Sequence, residues 1–390
     1  MTALHHLLGL MTLLCCSAPS PPEPPPEPVV EAPPPPPEPP PQPAEVTVVA
    51  VGDVLPHRAV KATGAKAGWD LVFRDVAPAI SKADIAFANL ESPVAPVAHT
   101  GTRGEIFNAP TAMLDGLKAA GFDVLSVANN HAFDQGTAGL LETLGHVTSR
   151  GMQAVGAGAT CGEATSPAML EVHGLTIAFV ATADLTNIDL NNDPDEACVF
   201  WAGAECAGDD CGPDRDAIHF RPDLTRLVPV IEDAAQRSDF VIVSFHWGDE
   251  YRTQPLPEYP GLASELIAAG ADVILGHHPH VLQPITRVGD GLVAYSLGNF
   301  VSNMAANYDP STSSVRRGNT RDGALLAFTL TKYPDGSRAI RDVGVTPLWT
   351  LNSQDPVEVR VTTHAHLPDA LTQVREPAVR DILGAFVSTK

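Results

Sequence analysis

VILGHHPHVLQP, residues Val273 to Pro284, carries an apolar run straight into three histidines within four positions, His277, His278 and His280. The run is too short for an independent helix and is rich in aliphatic residues, which reads as a strand buried on both faces. Imidazole is the commonest metal ligand, so a buried strand that opens into His-His-Pro-His points to a metal edge. Taken alone, it reads equally well as a turn that happens to hold histidines. The surrounding sequence decides between the two.

The same unit recurs along the chain. VTVVAVGD (46–53), IAFANLE (85–91), VLSVANNH (124–131), GLTIAFVATAD (174–184), FVIVSFHWGD (240–249) and GLVAYSLGNF (291–300) read as strands. Between them, LVFRDVAPAISKAD, TAMLDGLKAAGFD, TAGLLETLGHVTSRG and YPGLASELIAAGAD carry apolar faces at helical spacing. This alternation predicts an α/β domain with helices packed outside buried sheets. Towards the C-terminus the pattern changes: GALLAFTLTKYPDG and AIRDVGVTPLWTL read as hairpin strands, and the last helical pattern is weak.

Polar residues gather where those strands end. Asp53 and His57 follow the first; Asn89 and Glu91 the second; Asn129, Asn130, His131 and Asp134 the third. His246, Asp249 and Glu250 follow a fourth, the opening histidines a fifth, and Ser296 and Asn299 lie in YSLGNF. Carboxyl ends of parallel strands face one crevice, which is where α/β folds bind ligands. Each cluster singly has a plain structural reading, a turn or a satisfied core histidine; together they point to one site. Carboxylates, imidazoles and an amide oxygen suit Mn, Fe or Zn.

Composition excludes other classes. A formal net charge of −22 argues against nucleic acid, which needs Lys and Arg facing phosphates. Arg103, Arg252, Arg316, Arg317 and Arg321 are the sparse bases near the site motifs, and SSVRRGNTRDG (313–323) is the basic cluster among them. Arg316, Arg317 and Arg321 are therefore candidates for binding an anionic polymer or small-molecule substrate. LLGLMTLLCC (7–16) has signal-peptide size, and Cys16 lies where a lipobox would place a lipidated cysteine. The expectation is a signal peptide over 1–16, an extended Pro-rich linker over 17–44 and one folded domain over 45–390. Such a protein is exported, and attached to a membrane by a lipid anchor only. Cys161, Cys198, Cys206 and Cys211 then remain for one or two disulfides, with connectivity open.

In order, VGDVLPH, ANLESPV, VANNHAFDQG, FHWGDEY, GHHPHVLQP and YSLGNF resemble the bacterial capsule synthesis protein CapA family, over about Val46 to Val301. The resemblance implies a branch of the calcineurin-like metallophosphoesterase fold, a four-layer α/β/β/α sandwich with a metal site at one sheet edge. It also implies work on poly-γ-glutamate or a related capsule polymer. On that basis Asp53, Glu91, Asn130, His246, His278 and His280 are the metal ligands, with Glu91 the bridge between one or two divalent ions. His131 is the general acid and Asp134 its orienting partner. His57, Asn89, His277, Glu250 and Asn299 are further ligands or supports. The fold's usual histidine two positions after its first aspartate is Leu55 here, and His57 is the candidate substitute. The implied activity is a metal-dependent hydrolase or transferase; a phosphoesterase and a non-catalytic polymer scaffold are the alternatives.

Overall fold

The computed structural model describes residues 42–387, apart from 103, 189–192, 206–217, 223 and 355–356. The leader, Cys16, most of the Pro-rich linker, Arg103, Cys206 and Cys211 lie outside the described residues.

The first strand, Ala44–Val54, shows why the layers form. Val46, Val48 and Ala50 enter one core, whereas Val49 and Val51 enter another. Successive strand side chains point to opposite faces, so a run apolar at every position must be covered twice. Strand Leu175–Ala183 does the same: Ile177, Phe179 and Ala181 share the core of Val46, and Ala178 and Val180 face away into a third. The common core therefore lies between two sheets, where the Phe87 and Phe179 rings stack at 5.8 Å. Outside the first sheet, Trp69, Phe73, Met113, Leu114 and Leu117 cover it from helices. Outside the second, Leu227, Ile231, Ala263 and Leu266 do so from Leu224–Arg237 and Tyr259–Ala268. Helix, sheet, sheet, helix is the four-layer α/β/β/α order that the family resemblance implies.

Among the described residues the first sheet has eight strands. Its path runs Val357–Thr363, Arg338–Gln354, Asp322–Lys332, Ala44–Val54, Ile85–Leu90, Val124–Ser126 and Gln153–Val155, with Asn299–Val301 beside the end of the first strand. The second has six, with Leu175–Ala183, Phe240–His246, Val273–His277 and Gly291–Ala294 consecutive and parallel. The hairpin strands predicted near the C-terminus extend the first sheet: Asp322–Lys332 pairs antiparallel with Ala44–Val54, and Arg338–Gln354 antiparallel with Asp322–Lys332.

Register sets the site. Asp53 pairs with Asn89 on one side and Asn299 on the other, and His246 pairs with His277. An irregularity between Ala50 and Asp53 turns the strand end, as bulges beside functional sites do. Gly52 permits the close approach: a Cβ there would lie 1.8 Å from the Gly298 carbonyl oxygen. That neighbour is backbone and cannot swing aside. Cys161 and Cys198 are disulfide-bonded, joining the Cys161–Ala164 turn to the following insertion and matching an oxidising compartment.

The weak C-terminal pattern resolves into a full helix, Asp369–Leu383, with Pro377 inside it. Its fully buried Arg375 reaches Asp322, which also receives His364 Nε2 at 3.1 Å. Its buried positions, Arg375, Val379 and Leu383, recur every four residues, but the first is charged and Pro377 interrupts the run, which accounts for the faint signal.

Gly52→Ala should lower stability by about 1–3 kcal/mol, since overpacking here meets backbone. Thermal unfolding reads this directly; an unchanged midpoint would mean that the 52–298 approach is slack.

Candidate metal centre

Asp53 is fully buried where the first strand ends. Asn89 donates to its Oδ1 at 2.8 Å, and the His278 amide donates to Oδ2 at 3.4 Å. His277 Nδ1 lies 3.2 Å from Oδ1 and His280 Nδ1 3.3 Å from Oδ2. Burial opposes the charge on Asp53, but the two imidazoles outweigh it and hold the carboxyl well below its ordinary range.

Glu91 is the opposite case. It is fully buried, and neither carboxylate oxygen has a hydrogen-bond partner. Burial pushes its pKa well up, only partly countered by His280. Its Oε1 lies 3.5 Å from His246 Nε2 and 3.6 Å from His280 Nε2. His280 loses charge stability by burial but gains more from Glu91 and Asp53, which raise it to about 10. His246 is driven well down by burial and by the neighbouring His278.

Three ligand groups emerge, each with its atoms within 4.8 Å of one another: Glu91, His246 and His278; Asp53, Glu91 and His280; and Glu250, His278 and His280. The first two share Glu91, as a carboxylate bridging two cations requires. Asn130 Oδ1 sits 3.0 Å from His246 Nε2, adding a neutral oxygen at the first group. The orphaned oxygens of Glu91 are the decisive observation: a buried carboxylate without donors is costly, and a cation removes that cost. This donor set therefore fits one or two divalent ions.

Backbone strain aims the ligands. His278 and His280, flanking Pro279, have φ of 92° and 55°. Left-handed non-glycine residues are uncommon and cluster at functional sites. His277 precedes this twist, as the last residue of strand Val273–His277. His277 packs behind Asp53 against Phe87 instead of joining a ligand group.

Supports hold the ligands in turn. Asn299 Oδ1 lies 3.1 Å from His280 Nδ1, and its Nδ2 donates to the His280 and Thr320 carbonyls. That leaves His280 Nε2 facing Glu91 and Glu250. Asn129 bridges Asn89 and the Leu90 carbonyl and accepts the His131 amide. His131 Nδ1 is 2.9 Å from Asp134 Oδ2, which also accepts the Phe107 amide.

The description "Bacterial capsule synthesis protein PGA_cap" belongs to a family model that matches residues 47–304. The chain belongs to this family. It is 31% identical over 305 residues to "Capsule biosynthesis protein CapA" of Bacillus anthracis, covering 77% of this chain and 66% of that protein. It is 30% identical over 298 residues to "PGA biosynthesis protein CapA" of Bacillus subtilis, covering 76% and 70%. Among solved structures, Haemophilus influenzae NAD nucleotidase (NadN) superposes on 90% of this chain and 57% of its own at TM-score 0.41 and 12% identity. The layer order above rests on this chain's own sheets and cores.

In this capsule-family chain some expected residues stand apart from the ligands. His57 joins none of the three groups. Its Nδ1 faces the Leu55 carbonyl at 3.0 Å and the Asn303 amide at 3.2 Å, and burial lowers it to about 4. Arg321 does not face a ligand: it is buried, donates to the Thr350 and Ala305 carbonyls and lies over Trp349. Its guanidinium braces the loop, which removes it from the anion-binding set. Arg316 and Arg317 line a 590 Å³ cavity with Tyr251, Val281 and Met304, beside His280. Neither has an acidic partner among the described residues.

Sequence reading passed over Asp184 and Asn187, at another strand end on the same edge. Asn187 Oδ1 receives Asn130 Nδ2 at 3.2 Å. Asp184 accepts the Tyr259 hydroxyl at 2.7 Å and is raised by burial to about 7, despite that bond. The signal was an aspartate closing a buried run, VATAD, as in VAVGD.

Two outcomes follow. Asn299→Ala should weaken divalent-ion affinity by about 10–100-fold, the usual effect of losing a ligand's orienting partner; titration with Mn or Zn measures it. Asp184 keeps its proton in the folded state well after the unfolded chain has lost it. Its stability contribution is thus full below the unfolded value, 3.8, and lost as pH rises through about 7. Asp184→Asn should therefore gain stability relative to wild type between acid and mildly alkaline pH. A constant difference in melting temperature across that window would contradict the assignment.

Proposed function

We propose that this protein is a metal-dependent hydrolase or transferase of the cell envelope, acting on poly-γ-glutamate or a related γ-glutamyl capsule polymer. The observation that carries the reading is the buried Glu91, shared by two ligand groups and placed near an independent His131–Asp134 pair. The relatives' names, which include capsule biosynthesis and PGA biosynthesis, support the substrate class. The Cys161–Cys198 disulfide supports an exported location. The lipobox-like end of LLGLMTLLCC supports attachment through a lipid at Cys16.

A divalent ion, Mn, Fe or Zn, supplies Lewis-acid stabilisation of developing charge and lowers the pKa of water. Asp53, Glu91, Asn130, His246, His278 and His280 would hold it, and Glu250 is close enough to join from the solvent side. Asp134 accepts from His131 Nδ1 and fixes the ring, which leaves Nε2 to move the proton to a leaving amine. Phe107, edge-on to His131 at 4.6 Å, limits water around the ring. Arg316 and Arg317 meet carboxylates of the polymer, a necessary counterweight in a chain of net charge −22.

The two free arginines also support a non-catalytic reading, in which the fold only holds the polymer. His131→Ala separates them. The catalytic reading expects metal content and polymer binding to persist while cleavage of poly-γ-glutamate falls about 10²–10⁴-fold. Wild-type protein that binds polymer and ions yet leaves chain length unchanged by gel filtration would favour the scaffold.

A further inference from the structure

A second cavity adjoins the one beside the metal centre. It measures 580 Å³, and Tyr251 and Arg316 stand in the walls of both. Each is within the roughly 300–1,000 Å³ range of small-ligand sites. The second is walled by Arg252, Gln254 and Asn319, and by Ala378, Asp381 and Ile382 of the C-terminal helix. That helix lies beyond the stretch matched by the family, residues 47–304.

The partition between the cavities is held firmly. Tyr251 has φ of 63°, its amide donates to the Pro279 carbonyl at 2.8 Å, and its ring is 6.4 Å from that of His280. A tyrosine kept left-handed at a site edge is a strained residue in a functional position. On the other side, Arg375 reaches from the C-terminal helix to the Val315 carbonyl at 2.5 Å and Asn319 Oδ1 at 2.8 Å. Those contacts bracket Arg316 and Arg317, so the helix both lines the second cavity and fixes the arginine-bearing turn. Polar Gln254 and Asn319 stand beside apolar Val315 and Ile382. Such a lining suits a chain that alternates methylenes, amides and carboxylates.

We propose that the second cavity is a binding compartment for the adjoining unit of a carboxylate-bearing chain, with Arg316 between successive units, so that the ligand is engaged as a polymer. This rests on the reading of the site as acting on a γ-glutamyl polymer. Asp381 is exposed in this cavity and opposes an anion there, which provides the test.

The experiment is calorimetric titration of the metal-reconstituted chain with poly-γ-glutamate and, separately, with a γ-glutamyl dipeptide. Asp381→Lys, a substitution at an exposed position of the C-terminal helix, should tighten polymer binding about fivefold by reversing one charge in the cavity. Ala378→Trp, which fills the cavity, should weaken polymer binding about tenfold or more. Both should leave dipeptide affinity and metal content unchanged. Polymer affinity indifferent to both substitutions, with wild type still binding polymer, would overturn the second compartment and leave the proposed function standing. Wild-type protein that binds neither probe would overturn the proposed function and this compartment together.

Discussion

Glu91 is the constraint on which the molecule turns. A fully buried carboxylate with no hydrogen-bond donor would ordinarily be replaced or drawn to solvent, because desolvating it costs several kcal/mol. Here it sits among His246, His280 and Asp53, themselves buried, so the polar groups are compensated only collectively. Two buried carboxyl groups with converging imidazoles form a cage suited to positive charge. The surrounding asparagines, Asn89, Asn129, Asn130 and Asn299, add orientation without adding charge. A further carboxylate at any of those places would raise the cost of the cage.

Two sheets are needed to build that cage. Asp53, Asn89 and Asn299 come from the first, and His246 and the 277–280 turn from the second. The cores packed between and outside the sheets hold the two sets in register. The fold's investment in apolar burial is thus also what fixes the ligands, since rigid strand ends place side chains more accurately than free loops. The left-handed conformations of His278 and His280 are tolerable because flanking strands hold both sides of the turn.

Much of this was legible in the sequence. The α/β class follows from continuous apolar strands between amphipathic helices, the four-layer order from the family resemblance, and the site edge from Asp, Glu, Asn and His after strand after strand. The ligand assignments came through the family resemblance, and the structure brings Asp53, Glu91, Asn130, His246, His278 and His280 together. Less legible was which of several adjacent polar residues faces inward. His57 and His277 have the right chemistry, but a backbone hydrogen bond takes one and the end of its strand sets the other behind Asp53. Arg321 reads like its neighbours Arg316 and Arg317, yet only tertiary contact with Thr350 and Trp349 buries it. The C-terminal helix was faint in the sequence because a charged residue, Arg375, and Pro377 stand in the middle of its buried run, and only the distant Asp322 explains the charge.

The most direct measurement is elemental mass spectrometry on the chain from Ala44 onward, beside the His278→Ala, His280→Ala double variant. The structure predicts about one or two divalent ions per wild-type chain, consistent with a shared Glu91, and their loss in the variant. Wild-type protein that remains folded and takes up no Mn, Fe or Zn on reconstitution would contradict the metal centre, and Glu91 would then need another source of positive charge.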